Sequence, residues 1–197
     1  MIVIGIAGGI ASGKSTASEI FKRFGAHVID ADLIGHELLK SDKIRDKIVR
    51  IFGESVLTQT GDIDRRILGD RIFTDEEARL SLNKLVRPAI RQEIRQKINL
   101  KRKENKETVI VVDAALLVDS GPTDLVNCVI LVTATTTIRI KRIILRNKIS
   151  ENEAKQRINA QVDDKKQAKW ADYILENDGT QQELIKKATE LWEAIVY

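Results

Sequence analysis

The run Gly8-Gly9-Ile10-Ala11-Ser12-Gly13-Lys14-Ser15-Thr16 constrains this chain more than any other stretch. It fits G-x-x-x-x-G-K-[ST] in full, between an apolar run (IVIGIA) and an amphipathic one (KSTASEIFKRF). Such a strand–turn–helix junction brings backbone N–H groups together on one point, which demands torsions and close approaches that glycine permits. The positive end of the following helix faces the same point. The ligand that suits it is a polyphosphate. Gly8, Gly9, Ala11, Ser12 and Gly13 form the cradle, Lys14 brings a point charge to the outer phosphates, and Ser15 offers a hydroxyl to Mg²⁺. The pattern implies a bound nucleoside triphosphate and leaves kinase, GTPase and ATPase open.

Beyond the junction, apolar runs of strand length alternate with amphipathic runs of helix length, as in βαβ units around a parallel sheet. The expected strands are Ile2–Ala7, His27–Asp30, Thr108–Asp113, Cys128–Thr133 and Asp172–Glu176. The first, third and fourth are apolar on both faces, as a sheet covered on both sides requires. A helix is expected over Lys14–Phe24, stopped by Gly25, and helix starts at Thr74/Glu77, Ser150/Glu153 and Thr180/Glu183, which have capping-box spacing. The last of these opens a helix with Leu184, Ile185, Ala188, Leu191, Trp192 and Ile195 in one stripe. Two segments break the alternation and are too long for plain connections. One is an Arg-rich, all-helical insertion over about 33–105, and the other a charged helical segment over about 142–169, which reads as a lid. The remainder, about 1–32, 106–141 and 170–197, forms one α/β core, so the chain is expected to be a single domain of this kind.

The second expected strand ends VIDAD, which puts Asp30 and Asp32 beside the carboxyl edge of the sheet, where open α/β sheets bind ligands. Asp30 reads either as an N-cap or as a site residue. Asp32 is placed to take the proton of an acceptor hydroxyl and align its oxygen. Asp113, ending VIVVD, reads as a carboxylate near the metal or as a turn residue. Arg142 and Arg146 lie one helical turn apart, and Arg157 follows on the next helix. Arginines so placed can neutralise migrating charge on a bound triphosphate. Asn177 and Gly179, in a polar turn, are candidates to lie under the base. His27 and His36 have no metal-ligand spacing and read as structural.

Over nearly its whole length the chain resembles one family, the dephospho-coenzyme A kinases. The matching pieces are GGIASGKST, VIDAD, GDIDRRILGDRIF, LNKLVRPAI, VVDAALLVDSG, IKRIILRN, SENEAKQRINAQ and ADYILENDGT. The resemblance implies a P-loop fold like that of nucleoside monophosphate kinases: a five-stranded parallel sheet flanked by helices, a helical acceptor-binding insertion and a lid. It implies ATP as donor, Mg²⁺, and dephospho-CoA as the small-molecule acceptor phosphorylated on its ribose 3′-hydroxyl. By position, Asp32 matches the family's acceptor-activating carboxylate, Lys14, Ser15 and Thr16 its phosphate and Mg²⁺ residues, and Arg142 its nucleotide-contacting arginine. Lys14 and Arg142 thereby join Asp32 as candidate catalytic residues. Arg66, Arg71, Arg87, Leu116 and Leu117 fall on the acceptor side. The family usually has glycine where Ala11 stands and histidine where Arg87 stands, and departs again at Ala115 and Asp119.

The charge balance, +4 with a pI of about 9.1, suits a polyanionic small ligand or nucleic acid equally. The basic residues lie on amphipathic helices without interleaved aromatics, which disfavours a single-strand nucleic-acid platform. No guanine-recognition NKxD stands at a suitable strand end. A single cysteine, Cys128, and no membrane-length apolar run point to a cytoplasmic protein without membrane contact. The expected state is a monomer or a weak oligomer. The competing readings are another P-loop small-molecule kinase, such as a nucleoside monophosphate kinase, and a nucleotide-binding regulatory or nucleic-acid-binding module.

Overall fold

The computed structural model describes residues 1–105, 107–114, 124–161 and 164–197. Five strands, β1 (Val3–Ala7), β2 (His27–Asp30), β3 (Ile110–Asp113), β4 (Cys128–Thr133) and β5 (Tyr173–Glu176), pair in parallel in the order β2-β3-β1-β4-β5. They are the expected five: β2 and β4 keep the expected bounds, and β1, β3 and β5 start one or two residues later. Asp172, for one, stands just before β5, with its Oδ2 accepting from the Val129 N–H at 2.8 Å.

Chain contacts divide the protein into two compact units, Met1–Asp30 with Ile98–Tyr197, and Ala31–Lys97. In the first unit the alternation of side chains along β4 serves both faces of the sheet. Ile130 and Val132 join a core with Ile4, Ile6, Ile20, Phe21, Leu184 and Trp192, contributed by β1 and by helices α1 (Lys14–Arg23) and α9 (Gln181–Val196). Val129 and Leu131 join Ala7 on the other face, against Ala168 and Ala171. The α9 stripe seats as expected: Leu184, Ala188 and Trp192 are buried, and Trp192 stacks on Phe21 with ring centroids 5.9 Å apart. Helix α1 ends at Arg23, and Gly25, at φ +100°, closes it with the paired bonds Ala26 N–H to Phe21 O and Gly25 N–H to Lys22 O.

In the second unit, α2 (Ala31–Leu39), α3 (Asp42–Phe52), a 3₁₀ turn (Glu54–Val56), α4 (Arg65–Thr74) and the greater part of α5 (Glu76–Glu104) surround Ile44, Ile48, Phe52, Val56, Ile63 and Leu68. An antiparallel bridge between Leu57 and Ile63 breaks the all-helical pattern expected of this insertion. The start expected at Thr74 is also displaced by one residue. Asp75 takes the Ala78 N–H on its carboxylate at 3.0 Å, while Thr74 remains in the last turn of α4 and donates to the carbonyl of Asp70. A carboxylate outcompetes the neighbouring hydroxyl for a cap.

After β4, α6 (Thr136–Asn147), α7 (Glu151–Asn159) and α8 (Asp164–Ala168) lead to β5. Arg142 therefore lies inside α6 and does not begin a new segment. The other two expected capping boxes are present, Ser150 with Glu153 on α7 and Thr180 with Glu183 on α9.

Candidate active site

β1 ends at Ala7, and the glycine-rich run turns the chain into α1 at the centre of the sheet's carboxyl edge. Crossovers leave β1 toward the β2 edge and β4 toward the β5 edge, so the loop stands where the strand order reverses. What fixes the loop's shape is the treatment of its carbonyls. Ile10 O accepts from Arg139 Nε at 2.9 Å. Ala11 O accepts from Arg142 Nη1 at 3.2 Å, and Ser12 O accepts from Arg142 Nη1 at 3.3 Å and Asn177 Nδ2 at 2.8 Å. Arg142 Nη2 also donates to Asn177 O at 2.9 Å and Oδ1 at 3.3 Å, tying α6 to the turn after β5. Among the described residues the peptides are all trans. In a planar trans peptide the C=O and the following N–H point opposite ways. Three carbonyls held outward by α6 and Asn177 therefore direct the N–H groups of Ala11, Ser12 and Gly13 to the other side. Ser12 N–H closes back on Gly9 O at 3.1 Å. The Ala11 and Gly13 N–H groups stand beside the amino end of α1, where a helix's first-turn amides have no acceptor within the helix itself. An anion is what such a surface attracts.

Gly13 and Ala11 carry much of the backbone cost. Gly13, at φ +103°, has no Cβ because one there would overlap the Asn177 amide. Ala11 holds φ +59°, a left-handed conformation rare for a residue with a Cβ. The Ser12 side chain is fully buried beneath the loop.

Lys14, Asp113 and Ser18 form a cluster beside the loop. Lys14 Nζ pairs with Asp113 Oδ1, and Ser18 Oγ donates to Asp113 Oδ2 at 2.7 Å. Asp113 ends β3 in register with Ile6 and with Asp30 of β2, and is 5% exposed. A buried carboxylate is sustained by such a lysine and hydroxyl. Ser15 and Thr16 are exposed on the first turn of α1. Among the described residues no cluster of three His, Cys, Asp or Glu side chains can hold a metal. This donor set suits Mg²⁺, which binds through one or two protein oxygens together with substrate phosphates.

The remaining nucleotide-side candidates separate. Arg146 is exposed, with Nε donating to Asn147 Oδ1 at 3.0 Å, and Arg157 is half-buried on α7. Gly179 serves its own helix: a Cβ there would overlap the Glu183 carboxylate that caps α9. Arg139 and Gln161 were not singled out from the sequence, yet both touch the loop. Arg139 continues the Arg142/Arg146 stripe one turn toward the start of α6, and extending the stripe backwards finds it.

A family model for dephospho-CoA kinase matches residues 2–183. The dephospho-CoA kinase of Bacillus thuringiensis is 43% identical over 180 residues, covering 91% of this chain and 90% of that one. The chain belongs to the dephospho-CoA kinase family. The solved dephospho-CoA kinase from Campylobacter jejuni superposes with TM-score 0.70 at 30% identity, over 98% of this chain and 96% of its own. A Thermus thermophilus structure described as TT1252 superposes with TM-score 0.83 at 28% identity, over 100% and 98%. The fold is that of a P-loop kinase, and the family's members are ATP-dependent transferases.

For a dephospho-CoA kinase the acceptor side matters next. Asp32 is exposed in the first turn of α2, two residues beyond the β2–β3 pairing of Asp30 with Asp113, and Asp30 immediately precedes that helix. His36, one turn further along α2, has Nε2 2.7 Å from Arg65 Nη2. A guanidinium can only donate, so in this contact the ring nitrogen accepts. Arg71 Nη1 donates to Phe52 O at 2.8 Å while its guanidinium lies 5.6 Å from the Phe52 ring centre, so it stitches α4 to the end of α3. Arg66 is exposed in the first turn of α4, which Asp64 caps, and Arg87 is half-buried on α5 beside Pro88. Leu116 and Leu117, with Ala115 and Asp119, lie outside the described residues.

Proposed function

We propose that this chain transfers the γ-phosphoryl group of ATP to the ribose 3′-hydroxyl of dephospho-CoA, giving coenzyme A and ADP. The observation that carries the donor half is the phosphate loop, with its carbonyls held outward and its amides turned toward one side. Membership of the family carries the acceptor half.

Lys14 leaves Asp113 for the β- and γ-phosphates as ATP binds. Ser15 would offer a hydroxyl and Asp113 a carboxylate to Mg²⁺, whose chemistry would be to offset charge on the transferred group. Asp32 accepts the proton of the attacking hydroxyl and aims its oxygen at the γ-phosphorus. Positioning and charge stabilisation account for most of the rate in such transfers, so a carboxylate of ordinary basicity serves. Arg142 acts through the loop it holds, and Arg146 and Arg157 lie on the helices that follow β4, as the candidates to cover the triphosphate. Arg66, Arg71 and Arg87 give the helical unit a positive surface for the acceptor's pyrophosphate.

The experiment is turnover with ATP, Mg²⁺ and dephospho-CoA, with the product's phosphate position read by ³¹P NMR. Asp32→Asn is expected to lower kcat by about 10²- to 10⁴-fold, the range for removing a general base, while ATP affinity stays within about twofold. Full activity in Asp32→Asn, or phosphate at another hydroxyl, contradicts the proposal.

A further inference from the structure

Both polar groups of the Ile10 backbone are held by side chains distant in sequence. Its N–H donates to Gln161 Oε1 at 2.7 Å, and its carbonyl accepts from Arg139 Nε at 2.9 Å. Arg139 Nη2 donates to the same Gln161 Oε1 at 3.1 Å, so the three residues close a ring. Arg139, in the first turn of α6, is 4% exposed, and Gln161 lies two residues beyond the end of α7. Gly9 leaves room for them. A Cβ at Gly9 would overlap the Arg139 guanidinium and sit 3.0 Å from Gln161 Oε1.

The next residue is Ala11, in the left-handed conformation. Left to local preference, an alanine leaves that region, at a gain of about 1–2 kcal/mol. Doing so rotates the peptide planes on either side of it and carries the Ala11 N–H away from the anion-facing side. Fixing Ile10 at both its N–H and its C=O opposes that rotation at its upstream end, while Arg142 holds the downstream carbonyls.

We infer that Arg139 and Gln161 are positioning residues for the donor triphosphate: together they hold the tip of the phosphate loop in its binding shape against the preference of Ala11. The inference rests on the nucleotide half of the proposed function and goes beyond it. It also makes the seating of the α7 end and the shape of the loop parts of one equilibrium, so each favours the other, and nucleotide binding favours both.

The test is calorimetric titration of the intact protein with ADP and Mg²⁺, which needs no acceptor. Gln161→Leu is expected to weaken ADP binding about fivefold, as loss of a hydrogen bond of ordinary net strength does. Arg139→Ala is expected to act similarly, and the double variant to be scarcely worse than either single one, because each removes the same clamp. Arg139→Lys restores part of the loss. The deciding variant is Ala11→Gly, because glycine needs no help to hold this torsion. In an Ala11→Gly background, Gln161→Leu is expected to cost less than twofold in ADP affinity, a rescue that a merely structural role would not give. Exposed Gln161 keeps the test available if Arg139→Ala fails to fold. Wild-type ADP affinity in Gln161→Leu, additive losses in the double variant, or no rescue by Ala11→Gly overturns the inference. A wild-type protein that binds ADP yet leaves dephospho-CoA unchanged sinks the acceptor assignment and leaves this inference standing.

Discussion

Ala11 shows how far a single position can be read. The departure from glycine is visible in the sequence, but its consequence is not until φ +59° and the surrounding hydrogen bonds are seen. Ala11→Gly is expected to raise stability by about 1 kcal/mol, because relief of left-handed strain outweighs the added freedom of the unfolded chain. Urea denaturation measures it, and an unchanged or lower midpoint contradicts it. Arg142 was legible as a candidate for the nucleotide side from its stripe. That its guanidinium turns to backbone carbonyls is tertiary information, since the acceptors lie 130 and 131 residues away. Cys128 is a second case. Burial, reinforced by the neighbouring Asp172 carboxylate, pushes its thiol up to about 11. The thiolate is the reactive form, so alkylation by iodoacetamide at pH 8 is expected to run at least about tenfold slower than on a free cysteine. Labelling of the folded protein at the free-thiol rate contradicts that.

At the scale of elements, local chemistry was the most legible part. The strands follow from β-branched apolar runs, and the helix starts at Ser150 and Thr180 from their capping-box spacing. Thr74 failed because spacing alone does not say which of two adjacent capping residues wins, and Asp75 does. The two boxes have a pH signature. Hydrogen bonds from Ser150 hold the Glu153 carboxyl below its usual value, and bonds from Thr180 do the same for Glu183. A folded-state value below the unfolded one gives stability that is present above the unfolded pKa and lost as pH falls through the folded one. Thermal midpoints are therefore expected to drop as pH falls below about 4.5, and to drop less in a Glu153→Gln/Glu183→Gln variant, which cannot titrate there. Equal acid sensitivity in the two proteins contradicts this. Helix α9 is held differently, by Trp192 against Phe21 and Phe24. Trp192→Ala is expected to cost about 3–5 kcal/mol of unfolding free energy. A cost under about 1 kcal/mol would mean that α9 does not close this face of the core.

For the whole molecule, the alternation of strand and helix announced a parallel sheet, and the loop motif marked the proposed donor site on it. The strand order β2-β3-β1-β4-β5 was not readable from the residues, because pairing partners are chosen by packing across the sheet and leave no local mark. The helical insertion was visible as a region of different periodicity, but its own core of Ile44, Ile48, Phe52 and Leu68 emerges only when its helices are assembled. Among the described residues no helix is long and apolar enough to cross a membrane. The central claim is the pairing of this donor loop with one acceptor, and an acceptor panel tests it most directly. ADP formation is followed in a coupled assay with ATP and Mg²⁺, offering dephospho-CoA or AMP at equal concentration. The account predicts rapid ADP release with dephospho-CoA, at least about 10²-fold above that with AMP, a discrimination within reach of a site that hydrogen-bonds its substrate. Equal or faster turnover of AMP would contradict it.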